Sequence, residues 1–192
     1  MKKQMKFQKI VCLIALLIAA IAFFFALGLL TDIYKVMFAS QAGADKLFKD
    51  IQPFNRQLVN ICILMIVLAV FLYITKTHVR RRYYISNYIA LAVTIAVYVF
   101  LPIISILQIL NFKKRFLTEI DFPAWLEMRE LISDFPYTES TLWLDFNVVT
   151  QSLMILVSLL LAYNLLWKIR LMNFEDKLLS GEIKPKDLPL EV

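Results

Sequence analysis

The side chains of this chain that could do chemistry inside its apolar stretches are neutral and polar. Asn87, Thr94, Tyr98, Ser105 and Gln108 recur through one such stretch, and Asn147, Thr150, Gln151 and Ser158 through another. Wound as helices at about 100° per residue, each set falls on one side. Amides and hydroxyls so placed can knit helices together, contact another membrane subunit, or line a polar cavity. They supply no general acid or base.

Groups that could supply one are missing from the apolar runs. Between Ile10 and Leu30, Leu58 and Ile74, Tyr88 and Leu110, and Phe146 and Leu166 there is no Asp, Glu, Lys, Arg or His. Ionisable residues at membrane depth mark proton relays and ion-coupled transport, so their absence argues against a proton-coupled pump. Asp145 lies at the edge of the last run and is expected to be an interfacial or capping carboxylate. No phosphate-binding glycine loop, GxSxG, HExxH or paired-cysteine spacing occurs. The single histidine, His78, is expected on the opposite side of the membrane from Glu119, Asp121, Glu127 and Glu130, so a serine, histidine and acid cannot converge. Neither a metal nor a cofactor is expected, and the chain reads as a non-enzyme.

Charge forms a second pattern. Lys76, Arg80, Arg81 and Arg82, with His78, Tyr83 and Tyr84, crowd one short segment. Such a cluster fixes topology and can hold anionic lipid headgroups, at about 1 kcal/mol per cation, or an acidic partner. The net charge of +6 is divided among short clusters beside apolar runs, which speaks against nucleic acid. Cys12 and Cys62 fall near opposite ends of their helices, too far apart for a disulfide.

The elements that must carry these residues follow from composition. Of 192 residues, 60% are hydrophobic and only three are glycine, with a mean hydropathy of +0.70. The apolar runs are continuous rather than alternating, so the class is all-α and the solvent is a bilayer. Four transmembrane helices are predicted at residues 10–30, 58–74, 88–110 and 146–166. At ~1.5 Å per residue, each approaches or exceeds the length needed to cross a hydrocarbon core. Pro102 should kink the third. Ala15, Ala19, Ala22 and Ala26 form a strip of small side chains on the first, suited to close helix packing.

Residues 1–9, 75–87 and 167–192 hold thirteen of the 21 Lys and Arg, whereas the longer loops 31–57 and 111–145 hold eight. The positive-inside rule then places both termini in the cytoplasm and both loops outside it, with Lys113, Lys114 and Arg115 as the discordant cluster. Each outer loop is expected to contain a short amphipathic helix. One is Asp45 to Ile51, with Leu47, Phe48 and Ile51 on one face; the other is Phe122 to Ile132, with Trp125, Met128 and Ile132 on its apolar side, lying on the membrane or capping the bundle.

The expected molecule is a four-helix membrane bundle with folded extracytoplasmic loops, in a bacterial plasma membrane. Its partners would be the bilayer, anionic headgroups, and either another membrane subunit or further copies of itself. Folded loops without chemistry point to an accessory or scaffold subunit of a larger membrane complex. A small transporter or channel subunit, with a polar path on the third and fourth helices, is the alternative.

Overall fold

The computed structural model describes residues 2–35, 43–75, 85–131 and 139–181. Five α-helices account for nearly all of them, and the described residues contain no strand. These are α1 (Lys2–Lys35), α2 (Ala44–Thr75), α3 (Ile85–Glu119), α4 (Phe122–Leu131) and α5 (Leu142–Leu179). All but α4 are long and apolar enough to cross a membrane, which marks the chain as a membrane protein.

The four long helices outrun the apolar segments that betray them. Helix α2 has 32 residues and absorbs the Asp45 to Ile51 stretch expected as a separate loop helix. Leu47, Phe48 and Ile51 still share a buried face, but that face continues the bundle interior. Pro53 lies inside the same helix on an exposed face, so the carbonyl it deprives of a donor looks outward. Pro102 is likewise accommodated within α3. Gly43, at φ +72°, makes the turn into α2, a conformation L-residues with a Cβ seldom adopt.

Helix α4 begins where Asp121 caps it, its Oδ1 accepting from the Ala124 amide at 3.2 Å. Pro123 sits in the first turn, where its missing N–H costs nothing. Trp125 is fully buried and sits in a core with Ala44, Leu47, Phe48, Ile51, Phe116 and Ile120. Helix α4 is thereby fixed onto the ends of α2 and α3 as a cap. The side chain of Met128 and all of Ile132 lie outside the described residues.

The long helices form a ring in the order α1, α2, α3, α5, each antiparallel to its neighbours. Asn147 at the start of α5 meets Phe25 near the end of α1, and Gln4 at the start of α1 meets Asn164 on α5. Tyr98 of α3 reaches Met65 of α2. Ala15, Ala19, Ala22 and Ala26 are at most 1% exposed, so the small-residue strip is used inside the bundle. The outside is the reverse: Leu17, Phe24, Phe100 and Leu107 are 62 to 65% exposed. Large apolar groups outward and small or polar groups inward is the distribution expected of a molecule dissolved in lipid.

Candidate functional site in the bundle interior

Thr94, Tyr98, Ser105, Asn147, Thr150, Gln151 and Ser158 are each buried, none more than 4% exposed. Asn87 is half-buried, and Gln108 is exposed on the outer surface of α3. Gln108 therefore leaves the inward stripe, because residue 109 of the same turn takes the interior position: Ile109 is fully buried.

The two stripes lie on neighbouring helices, yet no described hydrogen bond joins one to the other. Thr94 Oγ1 donates to the Ala90 carbonyl at 2.8 Å, Thr150 Oγ1 to Asn147 at 3.0 Å and Ser158 Oγ to Ile155 at 2.6 Å, all on their own helices. Tyr98 Oη donates across to the Met65 carbonyl of α2 at 2.6 Å. Hydroxyls on helices readily settle on a carbonyl one turn back, leaving little for a facing helix.

The amides behave differently. Asn147 Nδ2 donates to the carbonyls of Trp143, at 2.7 Å, and Phe25, at 3.2 Å. Asn55 Nδ2, on α2, faces the Leu29 carbonyl at 3.5 Å. Gln151 Nε2 points at the thiol of Cys62, 3.7 Å away. Each amide thus spends its nitrogen, while Asn55 Oδ1, Asn147 Oδ1 and Gln151 Oε1 stay buried with no partner, as does Ser105 Oγ. An unpaired buried acceptor costs about 1–3 kcal/mol, so the group is a destabilising part of the interior.

Register shows how these oxygens are arranged. Helices α2 and α5 run parallel across the bundle, and the Gln151 to Cys62 contact sets their relative height. Asn147 stands one turn above Gln151, and Asn55 two turns above Cys62 on the same face. At ~1.5 Å per residue the three amides span roughly 10 Å of depth. Ser105 lies two turns from Tyr98 on α3, toward the cap, which brings it within that stretch.

A second polar group, outside the residues singled out from sequence, occupies the end of the bundle where α1 begins. Gln4 Nε2 donates to Asn164 Oδ1 at 2.7 Å and to Gln8 Oε1 at 3.4 Å. Lys168, one turn beyond Asn164, is 6% exposed, with its ammonium 4.4 Å from the centre of the Tyr88 ring. A cation directly after Trp167 has the order of a headgroup anchor, yet the structure turns Lys168 inward. Asn55, Asn164 and Lys168 had a signal: Asn164 and Lys168 extend the spacing that runs from Asn147 and Thr150, and Asn55 lies two turns before Cys62.

Around the cap runs a belt of ion pairs. Lys113 Nζ meets Asp145 Oδ1 at 2.5 Å, and Thr141 Oγ1 donates to the other oxygen of that carboxylate at 2.8 Å. Arg115 bridges Asp50 at 2.8 Å and Glu119 at 2.7 Å. Two of the three discordant cations are therefore paired. Lys76, Arg80, Arg81 and Arg82 lie outside the described residues. Neither Cys12 nor Cys62 is in a disulfide, and no cluster of metal-ligating side chains occurs among the described residues. No family model, curated protein or solved structure matches the chain.

Proposed function

We propose that this protein is a non-enzymatic accessory or scaffold subunit of a larger membrane complex. The observation that supports this is on the cap. Leu126 of α4 remains 42% exposed there, and Leu117, near the end of α3 between Arg115 and Glu119, is 52% exposed beside the belt formed by Lys113, Arg115, Asp50 and Asp145. Paired charges of this kind belong to the headgroup layer or the water above it, so lipid tails do not cover these leucines. Trp125 holds the surface that bears them rigid, and a pre-ordered apolar surface binds a protein partner at low entropic cost.

Most of the polar helix faces offered by sequence as contacts for another subunit are turned into the bundle, with Gln108 exposed and Asn87 half-buried. The docking surface is therefore assigned to the cap. In this reading the cap is extracytoplasmic and both termini are cytoplasmic, in a bacterial plasma membrane. Pairing of Lys113 and Arg115 weakens the one charge cluster that opposes that orientation.

The test is photo-crosslinking from Leu126 and Leu117 in native membranes, followed by extraction in mild detergent. A stoichiometric membrane partner held through these positions supports the proposal. A lone monomer, without crosslinks from either position, refutes it.

A further inference from the structure

We infer that Arg56, Gln57 and Asn60 of α2, with Gln108 of α3, form a docking surface inside the bilayer for a partner's transmembrane helix that carries a carboxylate. This surface is separate from the cap, and the inference does not depend on the cap's role.

The depth of the patch follows from the ion pair above it. Arg115 of α3 reaches Asp50 of α2 at 2.8 Å. The two helices are antiparallel, so two turns inward along each bring Gln57 and Gln108 to face one another across the same seam, roughly 10 Å below that pair. Asn60 lies about 15 Å below Asp50, half the thickness of a hydrocarbon core. Arg56, Gln57, Asn60 and Gln108 are all exposed, and no described hydrogen bond or ion pair engages any of them.

Lipid tails do not suit such a face. Elsewhere at this height the molecule presents hydrocarbon. The Leu29 carbonyl of α1 lies by Asn55, so Phe24 stands level with Asn60, and the Gln151 to Cys62 contact brings Val149 of α5 to the same level. Phe24 and Val149 are 63% and 53% exposed. The α2 face and its seam instead turn one cation and three carboxamides outward. Polar groups at membrane depth are satisfied by protein, and a cation there pairs with an acid.

The chemistry of the patch selects its occupant. A guanidinium offers a carboxylate two parallel N–H donors, and the amides beside it can donate to the remaining lone pairs. The neighbouring acids of this chain are already engaged: Asp50 by Arg115, Asp145 by Lys113 and Asp45 by Lys49. A second copy turned onto the same face by a two-fold axis would set Arg56 against Arg56. A lipid headgroup stays at the level of the ion pairs; the long Arg56 side chain can rise toward it, but the short side chain of Asn60 cannot.

The test is photo-crosslinking in native membranes from Leu64, which is 41% exposed one turn beyond Asn60, with Val149 as the reference at similar depth on α5. Leu64 should capture a second membrane protein, at a point in its span within one turn of an Asp or Glu. Arg56→Gln should lower that yield by about tenfold or more, as loss of one member of a close charge pair does. Should this variant fail to fold, changing the mapped acid of the partner to its amide makes the same cut. An unchanged yield in either case overturns the inference. It is equally overturned if Leu64 captures only lipid, only a second copy, or a span without an acid, or if Val149 captures the same protein as well as Leu64 does. A partner captured from Leu126 but not from Leu64 would sink this inference and leave the accessory role standing.

Discussion

Trp143 of α5 packs directly over Gly28 of α1: a Cβ built on Gly28 would stand 2.5 Å from one ring carbon and 2.8 Å from another. The glycine is needed for close approach, because its backbone is ordinary helix.

Gly28→Ala should therefore destabilise the bundle by about 1–3 kcal/mol, the usual cost of forcing atoms into a packed contact. Thermal unfolding in detergent reads the loss. Trp143→Leu in the same chain should recover most of it, and an equal loss with and without the indole would disprove the contact as the cause.

Trp125→Ala removes the largest fully buried side chain of the cap. Burial of this kind is worth about 3–5 kcal/mol on truncation. Limited proteolysis should then open α4 before the four long helices lose their helical signal in circular dichroism. Simultaneous loss of both would show that cap and bundle are one cooperative unit.

Ala22→Leu should be poorly tolerated, because Ala22 is fully buried where α1 lies close to its neighbours. About 1–3 kcal/mol of destabilisation is expected from overpacking. Leu17→Ala, at a site 62% exposed, should change stability by less than ~0.5 kcal/mol. Equal effects at the two sites would contradict the assigned inner face.

Arg115 and Asp50 should show weak coupling. Both side chains are partly exposed, at 23% and 47%, so a double-mutant cycle with alanine should return only about 0.2–1 kcal/mol. High salt should erase it. A coupling above that range that survives salt would mean that the pair is sequestered by something bound over the cap.

Much of this architecture was written in composition and spacing. Four uninterrupted apolar runs could only be bilayer helices, and alanines at every third or fourth position from Ala15 to Ala26 marked the inner face of α1. What stayed hidden were features decided by tertiary packing. Residues 52–57, with Pro53 among them, read as a break between a short helix and the second span, yet α2 runs through because Leu47, Phe48, Ile51 and Phe54 bury in one core with residues of α3 and α4. Most residues of the polar stripes are buried, with Gln108 exposed and Asn87 half-buried, but spacing could not show that hydroxyls such as Thr94 and Thr150 would turn back to their own helices. Lys168 was hidden by its company, since a cation after Trp167 reads as an anchor until Tyr88 is seen beneath it.

The bridge from Arg115 to Asp50 also bears on the order in which the chain is made. A chain emerges from its N-terminus, so Asp50, 65 residues earlier, is in place before Arg115 is synthesised. The acid that receives the guanidinium is thus made before it, and Glu119 follows the arginine by only four residues. Lys113 has no such welcome, because Asp145 comes 32 residues later. That lysine stays unpaired until α5 begins to form, so the last helix secures the charge that the third has left behind.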